Sequence, residues 1–131
     1  LVIANEAISI PAGAAEHREI ARSEPLASDV YLSSLSPHAH GRAESMQLTA
    51  IYPDGERQLI ANVANYNFNW QLTYRLQQPL LLPAGTRLEA ETVYDNSLAN
   101  PLNADPEVTV EWGVSDQDEM FNHYVRFLRV R

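Results

Sequence analysis

Cysteine is absent from this 131-residue chain, which excludes disulfides and every metal site built on thiolates. A metal held here would have to rest on His, Met, Asp or Glu. Histidine is scarce as well, with four in all, at 17, 38, 40 and 123. There is no Gly-x-Ser-x-Gly elbow and no phosphate-binding glycine loop. No apolar run approaches the ~20 residues of a membrane span. The chain opens on Leu1 without an initiator Met, a charged leader or an apolar signal segment. It therefore reads as a cut end, either a matured chain or a domain excised from a longer one. Positive charge is in deficit, with 9 Lys and Arg against 17 Asp and Glu for a net charge of -8. That balance argues against nucleic acid and anionic membrane surfaces as partners. No spacing among the carboxylates singles out an acid/base pair, so most belong to a solvated surface.

What remains reads as one globular domain, 45% hydrophobic and long enough to bury a core without staples. Helical signals are few. The one fair candidate, Ala14 to Ser23, is short and could equally be a strand. Strand signals recur: Val30 to Leu35, Met46 to Tyr52, Gln58 to Val63, Leu72 to Leu76, Leu80 to Leu82 after a break at Pro79, Thr86 to Tyr94 and Glu119 to Val130. Pro53-Asp54-Gly55 and Pro83-Ala84-Gly85 are turns with a mechanism, because Pro presets φ and Gly accepts φ > 0. Short strands between such turns predict an all-β fold, an antiparallel β-sandwich of jelly-roll type in a single domain over 1–131.

Ser36-Pro37-His38-Ala39-His40-Gly41 holds half of the histidines. Two imidazoles two residues apart in a strand point to one side of the sheet, as a pair of nitrogen ligands would. By itself a His-x-His is unspecific, since exposed strand histidines without metal are the commoner case. The last strand adds a second feature. Met120, Asn122 and Tyr124 share one face, while Phe121, His123 and Val125 share the other and have the better claim to the core. Met120 is then a candidate soft ligand, and two imidazoles with a thioether suit copper, Cu(I) especially. Plain packing is the ordinary role of a methionine. The loop Asp95 to Pro106 is rich in oxygens that suit calcium. It lacks the EF-hand glycine and glutamate, and its Asn and Asp beside Pro read as turn formers. Arg126, Arg129 and Arg131 make the C-terminus locally positive, and alternation sets Arg129 and Arg131 opposite Arg126, which reads as tail solubility.

The order of several segments is recognisable. Ser36 to Gly41, Tyr52-Pro53-Asp54-Gly55, Phe68-Asn69-Trp70-Gln71 with Tyr74-Arg75-Leu76, Leu82 to Thr86, Asp95-Asn96-Ser97, and Trp112-Gly113 through Asp118-Glu119-Met120 follow one another. Together, over about residues 8 to 128, they resemble the C-terminal domain of copper type II, ascorbate-dependent monooxygenases in its bacterial form. Peptidylglycine α-hydroxylating monooxygenase and dopamine β-monooxygenase are its eukaryotic relatives. The resemblance implies one copper ion held by His38, His40 and Met120, with O2 as co-substrate and Asn122 and Tyr124 in the substrate pocket. It also implies export, to the periplasm or the cell exterior.

Two departures narrow what the resemblance implies. Peptide-processing members carry an Arg two residues before the first histidine to grip a substrate carboxylate, and here that position is Ser36. A serine has no bidentate cationic fork, so a glycine-extended peptide is not the expected substrate. The family's cycle also uses a second copper on three histidines in another domain, and His17 and His123 cannot rebuild it. Electrons would come from an upstream domain with a second copper or a haem. Two readings stand: an oxygen-activating, substrate-hydroxylating half of a two-copper monooxygenase, which would not turn over alone, or a non-catalytic copper-holding or structural interaction module of a larger exported redox protein.

Overall fold

The computed structural model describes residues 1–130, so Arg131 of the C-terminal arginine trio lies outside the described residues. Ten strands follow in order: β1 (Val2–Ala4), β2 (Ser9–Ile10), β3 (His17–Arg22), β4 (Val30–His38), β5 (Ala43–Ile51), β6 (Arg57–Val63), β7 (Tyr74–Leu82), β8 (Arg87–Tyr94), β9 (Val110–Glu111) and β10 (Asn122–Arg129). One four-stranded sheet has the order β1-β10-β4-β7, and another β3-β8-β5-β6. A short β2-β9 pair completes the fold. Every strand pair is antiparallel, so the all-β sandwich expectation holds. No helix is present among the described residues, and so none is long and apolar enough to cross a membrane.

The sandwich forms because apolar side chains alternate along the central strands and can all be buried on one side. In β5, Met46, Leu48 and Ala50 are buried while Gln47 and Thr49 are not. Leu32 and Leu35 of β4, Leu88 and Ala90 of β8, and Phe121 and Val125 join them in one core. The two turns work as their residues dictate. Gly55 and Gly85 have φ of 89° and 86°. Gly55 N–H donates to the Tyr52 carbonyl, and Thr86 N–H donates to the Pro83 carbonyl.

Three sequence expectations are refined. Ala14 to Ser23 contains no helix; its middle is the edge strand β3, half-exposed in alternation. Pro79 does not end a strand, since β7 runs through it. Instead β7 lets go of β4 there: Leu32 pairs with Leu80, and the next partner along β4, Ser34, pairs with Arg75. A proline with no N–H to donate is tolerated in a bulged segment of an edge strand. The Asp95 to Pro106 loop is a chain of Asx turns. Asp95, Asn100, Asn103 and Asp105 each accept, through Oδ1, the N–H two residues on. Among the described residues no group of three His, Asp or Glu side chains is placed to hold a metal. These four Asx turns are the turn-forming role expected of the loop's Asn and Asp residues.

A candidate metal centre where β4 meets β10

Antiparallel pairing sets His38 opposite Asn122, His123 opposite Pro37 and Tyr124 opposite Ser36. Partner residues lie on the same face of a sheet. The register therefore groups His38, Asn122, Ser36 and Tyr124 outside; beyond the strand ends, the His40 and Met120 N–H groups both donate to one Glu119 carboxylate oxygen. Phe121, His123 and Val125 are buried, whereas Met120 and Asn122 are half-buried and Tyr124 is exposed. Packing thus leaves Met120 off the core face. Its sulfur accepts the Asn122 amide N–H at 3.6 Å, and Asn122 is the cross-strand partner of His38.

The two imidazoles have ring centroids 5.5 Å apart with planes at 81°. A metal lies about 2 Å from each ligating nitrogen, so two rings that share one ion have centroids within roughly 6 Å. His40 is buried, with the Phe68 ring 5.4 Å away. What each ring can offer is fixed by its Nδ1. His40 Nδ1 lies 3.0 Å from the Asp118 carbonyl, which can only accept, so Nδ1 carries the proton. His38 Nδ1 lies 2.6 Å from Gln71 Oε1, and the Gln71 amide is oriented by donating its own N–H to the Phe68 carbonyl at 2.9 Å. Nδ1 is therefore the donor in both rings, and each neutral imidazole keeps its lone pair on Nε2. This is the usual way a metal-ligating histidine is oriented from behind. Two Nε2 nitrogens with one thioether would make a soft-to-borderline donor set of the kind that suits copper.

The backbone under these side chains is held by groups that sequence reasoning did not assign. Glu119 is fully buried and accepts three backbone N–H bonds: from His40 (2.7 Å) and Met120 (3.1 Å) on Oε2, and from Arg42 (2.7 Å) on Oε1. One carboxylate oxygen thus ties the His40 and Met120 backbones together. Burial pushes this carboxyl's pKa up while its three donors oppose that. Arg42, itself buried, donates to the Asn96 side chain and the Gln117 carbonyl. Burial lowers the Arg42 pKa against the opposing charge of Glu119. The Tyr66 hydroxyl accepts from Ala39 N–H and donates to the Ala39 carbonyl, and burial pushes it up to about 12. Tyr94, also raised by burial, donates to the Met120 carbonyl at 2.7 Å.

The Trp-Gly to Asp-Glu-Met stretch has its own logic. Trp112 bridges Glu119 in parallel, and a side chain at Gly113 would collide with the Asp118 carboxylate. Only a glycine lets this loop close and deliver Glu119 inward. The only signal for Glu119 in the sequence was its place between Asp118 and Met120. Nothing there marked Arg42, Tyr66 or Tyr94.

A groove of ≈ 330 Å³ opens beside His38, walled by Gln71, Leu72, Thr73, Ser36 and Tyr124. Asn122, expected in the pocket, is not among its walls, because its amide is occupied with the Met120 sulfur. Ser36 bonds Thr73 across the groove floor at 2.8 Å. The remaining histidines lie elsewhere: His17 pairs with Glu19 on β3, and His123 is in the core. The family model described as copper type II ascorbate-dependent monooxygenase, C-terminal domain, matches residues 6–130. No curated protein matches the chain.

Proposed function

Because the chain belongs to the C-terminal domain family of copper type II ascorbate-dependent monooxygenases, we propose that it is the substrate-hydroxylating half of a two-site copper monooxygenase, holding one copper on His38, His40 and Met120. The observation that supports it most is the pair of Nδ1–H donors, which leaves two Nε2 lone pairs on rings 5.5 Å apart. Copper bound there would supply one-electron chemistry with O2, directed at a substrate C–H. The chain's own residues do the rest. Asn122 fixes the thioether, Phe68 shields the His40 ring, and Glu119 sets the spacing between the two ligand segments. Tyr124 faces the groove in which substrate would lie. Electrons would arrive from an upstream domain carrying a second copper or a haem, since no third imidazole is near His38 and His40 among the described residues. The family's exported members support a periplasmic or extracellular location.

Isothermal titration with Cu(II), and with Cu(I) under anaerobic conditions, tests the site. Binding is expected in the wild type and lost in His38→Ala and His40→Ala. In Met120→Ala, Cu(I) affinity should fall more than Cu(II) affinity, because the thioether prefers the reduced ion. Unchanged affinity in all three variants would sink the assignment. Gln71 is a positioning residue, and Gln71→Leu should weaken copper roughly tenfold, the low end for a partner behind a ligating histidine. The reading of Gln71 fails if its variant matches wild type while His38→Ala does not.

Ser36, in place of a carboxylate-gripping Arg, favours a second reading, a non-catalytic copper-holding or docking module. Copper binding without any hydroxylated product, in the presence of a reductant, O2 and the full-length partner domains, would favour that reading over the first.

A further inference from the structure

The groove beside His38 does not stop at Tyr124. It continues along the outer face of the β10-β4-β7 sheet as a hollow of ≈ 260 Å³ that shares Ser36, Thr73 and Tyr124 with it. Next comes one of ≈ 340 Å³ that shares Ser34, Thr73 and Arg126 with the second. The last is closed by Arg75 and Arg126. Both are cross-strand partners of the same residue: Ser34 pairs with Arg126 on one side and Arg75 on the other. Partners across a ladder share a face, so the two guanidinium groups flank one small buried serine from opposite strands. Read along the chain, Arg126 belonged with a soluble tail, but the register places it in this row.

Three features separate this pair from the rest of the surface. First, on the exposed face of the other sheet Arg18 pairs with Glu91 and both Arg22 and Arg57 pair with Glu89, while Arg87 donates to the Ser23 carbonyl. Among the described residues neither Arg75 nor Arg126 has an ion-pair partner. Second, the chain has 17 carboxylates and a net charge of -8, yet none of them lines any of the three hollows. The two like charges sit on either side of β4, and no carboxylate of the groove offsets them. Third, the floor between them is hydroxylic, with Ser33, Ser34 and Thr73. Ser33 donates to the Arg126 carbonyl and Thr73 shares a bond with Ser36, so Ser34 is the hydroxyl left beside the two guanidinium forks, which suit a planar or tetrahedral oxyanion.

We infer that Arg75 and Arg126 form an oxyanion subsite at the far end of the groove, so that the substrate is an elongated molecule with a terminal carboxylate or other oxyanion held away from its reacting C–H. His38 and Ser34 are four residues apart on one strand, which places the two ends of the groove ~13 Å from each other. A short acid could not touch both ends. The orientation toward the reacting C–H rests on the copper reading, whereas the subsite itself does not.

The metal-free protein with decanoate as probe tests the subsite, with acetate as the short control and decanol as the neutral one. Decanoate should bind more tightly than either, with affinity falling as salt is raised. Arg75→Gln and Arg126→Gln should each weaken it at least fivefold, and their combination at least twentyfold, with unchanged melting temperatures because both side chains are exposed. Because this measurement is made without metal, a failure of the copper assignment is read separately from a failure of the subsite. In the Cu(II)-loaded protein, decanoate's terminal methyl protons should broaden more than those beside its carboxylate. Wild-type affinity in the double variant, equal binding of decanol, or the reverse order of broadening overturns the inference.

Discussion

Glu119→Gln is expected to lower the unfolding free energy by about 3 kcal/mol, because it leaves buried backbone donors without an acceptor. For a domain of this size that is a drop of roughly 10 °C in melting temperature. Both carboxylate oxygens are occupied by N–H donors, Oε1 by Arg42 and Oε2 by His40 and Met120. An amide has one accepting oxygen, so whichever way the substituted side chain turned, its NH2 group would face at least one N–H. The arrangement suits the ionised carboxylate and nothing isosteric. A protonated acid would likewise present a hydroxyl with no acceptor in place. Exposed Glu107 supplies the control, since Glu107→Gln lies away from any such network and should shift stability by no more than ~0.5 kcal/mol. Equal melting temperatures for the two variants would refute the role given to Glu119. Copper titration adds a second readout. Slackening the tie between the His40 and Met120 backbones should weaken copper in Glu119→Gln even at temperatures where the variant is fully folded.

Glu119 also shows why the site was only partly legible. Ligand-type residues announce themselves by chemistry and spacing. His38 and His40 stand two apart in a strand pattern, and Met120 falls on the polar face of a strand whose alternation is plain. A glutamate among 17 acidic residues has no such mark, and its burial follows from the closure of the loop at Gly113, which is a long-range event. Tyr66 and Arg42 are equally silent, because their roles depend on which backbone atoms happen to lie beneath them. The fold was easier to read. Alternation in β5, β8 and β10 and the two Pro/Gly turns carry their own physical reasons within a few residues. The open and mistaken readings fell at edges. β3 and the bulged part of β7 have one free flank, and there the partner strand, not the local sequence, decides the conformation. The groove's far end was missed for the same reason: Arg75 and Arg126 are 51 positions apart in sequence and meet only through the register of β4.

His123 should make the stability of this chain depend on pH. It is buried, stacked at 5.2 Å on Phe121, with Nε2 3.2 Å from the Thr92 hydroxyl and Nδ1 without a partner. Its cross-strand neighbours are Ile3 on β1 and Pro37 on β4, so no charge faces it from either flank. Burial alone lowers its pKa from the ordinary 6.5 to about 4. The sign follows from which state takes the proton. Between these two values the unfolded chain protonates His123 and the native protein refuses to, so stability falls as the pH is lowered from about 6.5 toward 4. Above that window the full stability is present, and below it this group adds no further loss. The shift corresponds to about 3 kcal/mol across the window. Other carboxylates also titrate there, so the measurement is a difference. Urea unfolding of wild type and His123→Leu should be followed from pH 7 to pH 4. The variant's stability relative to wild type should rise by about 3 kcal/mol over that range, whatever the offset between them at pH 7. Parallel pH curves would mean that the native protein accepts the proton at His123, either by opening the β1 edge to water or by rotating the ring out of the core.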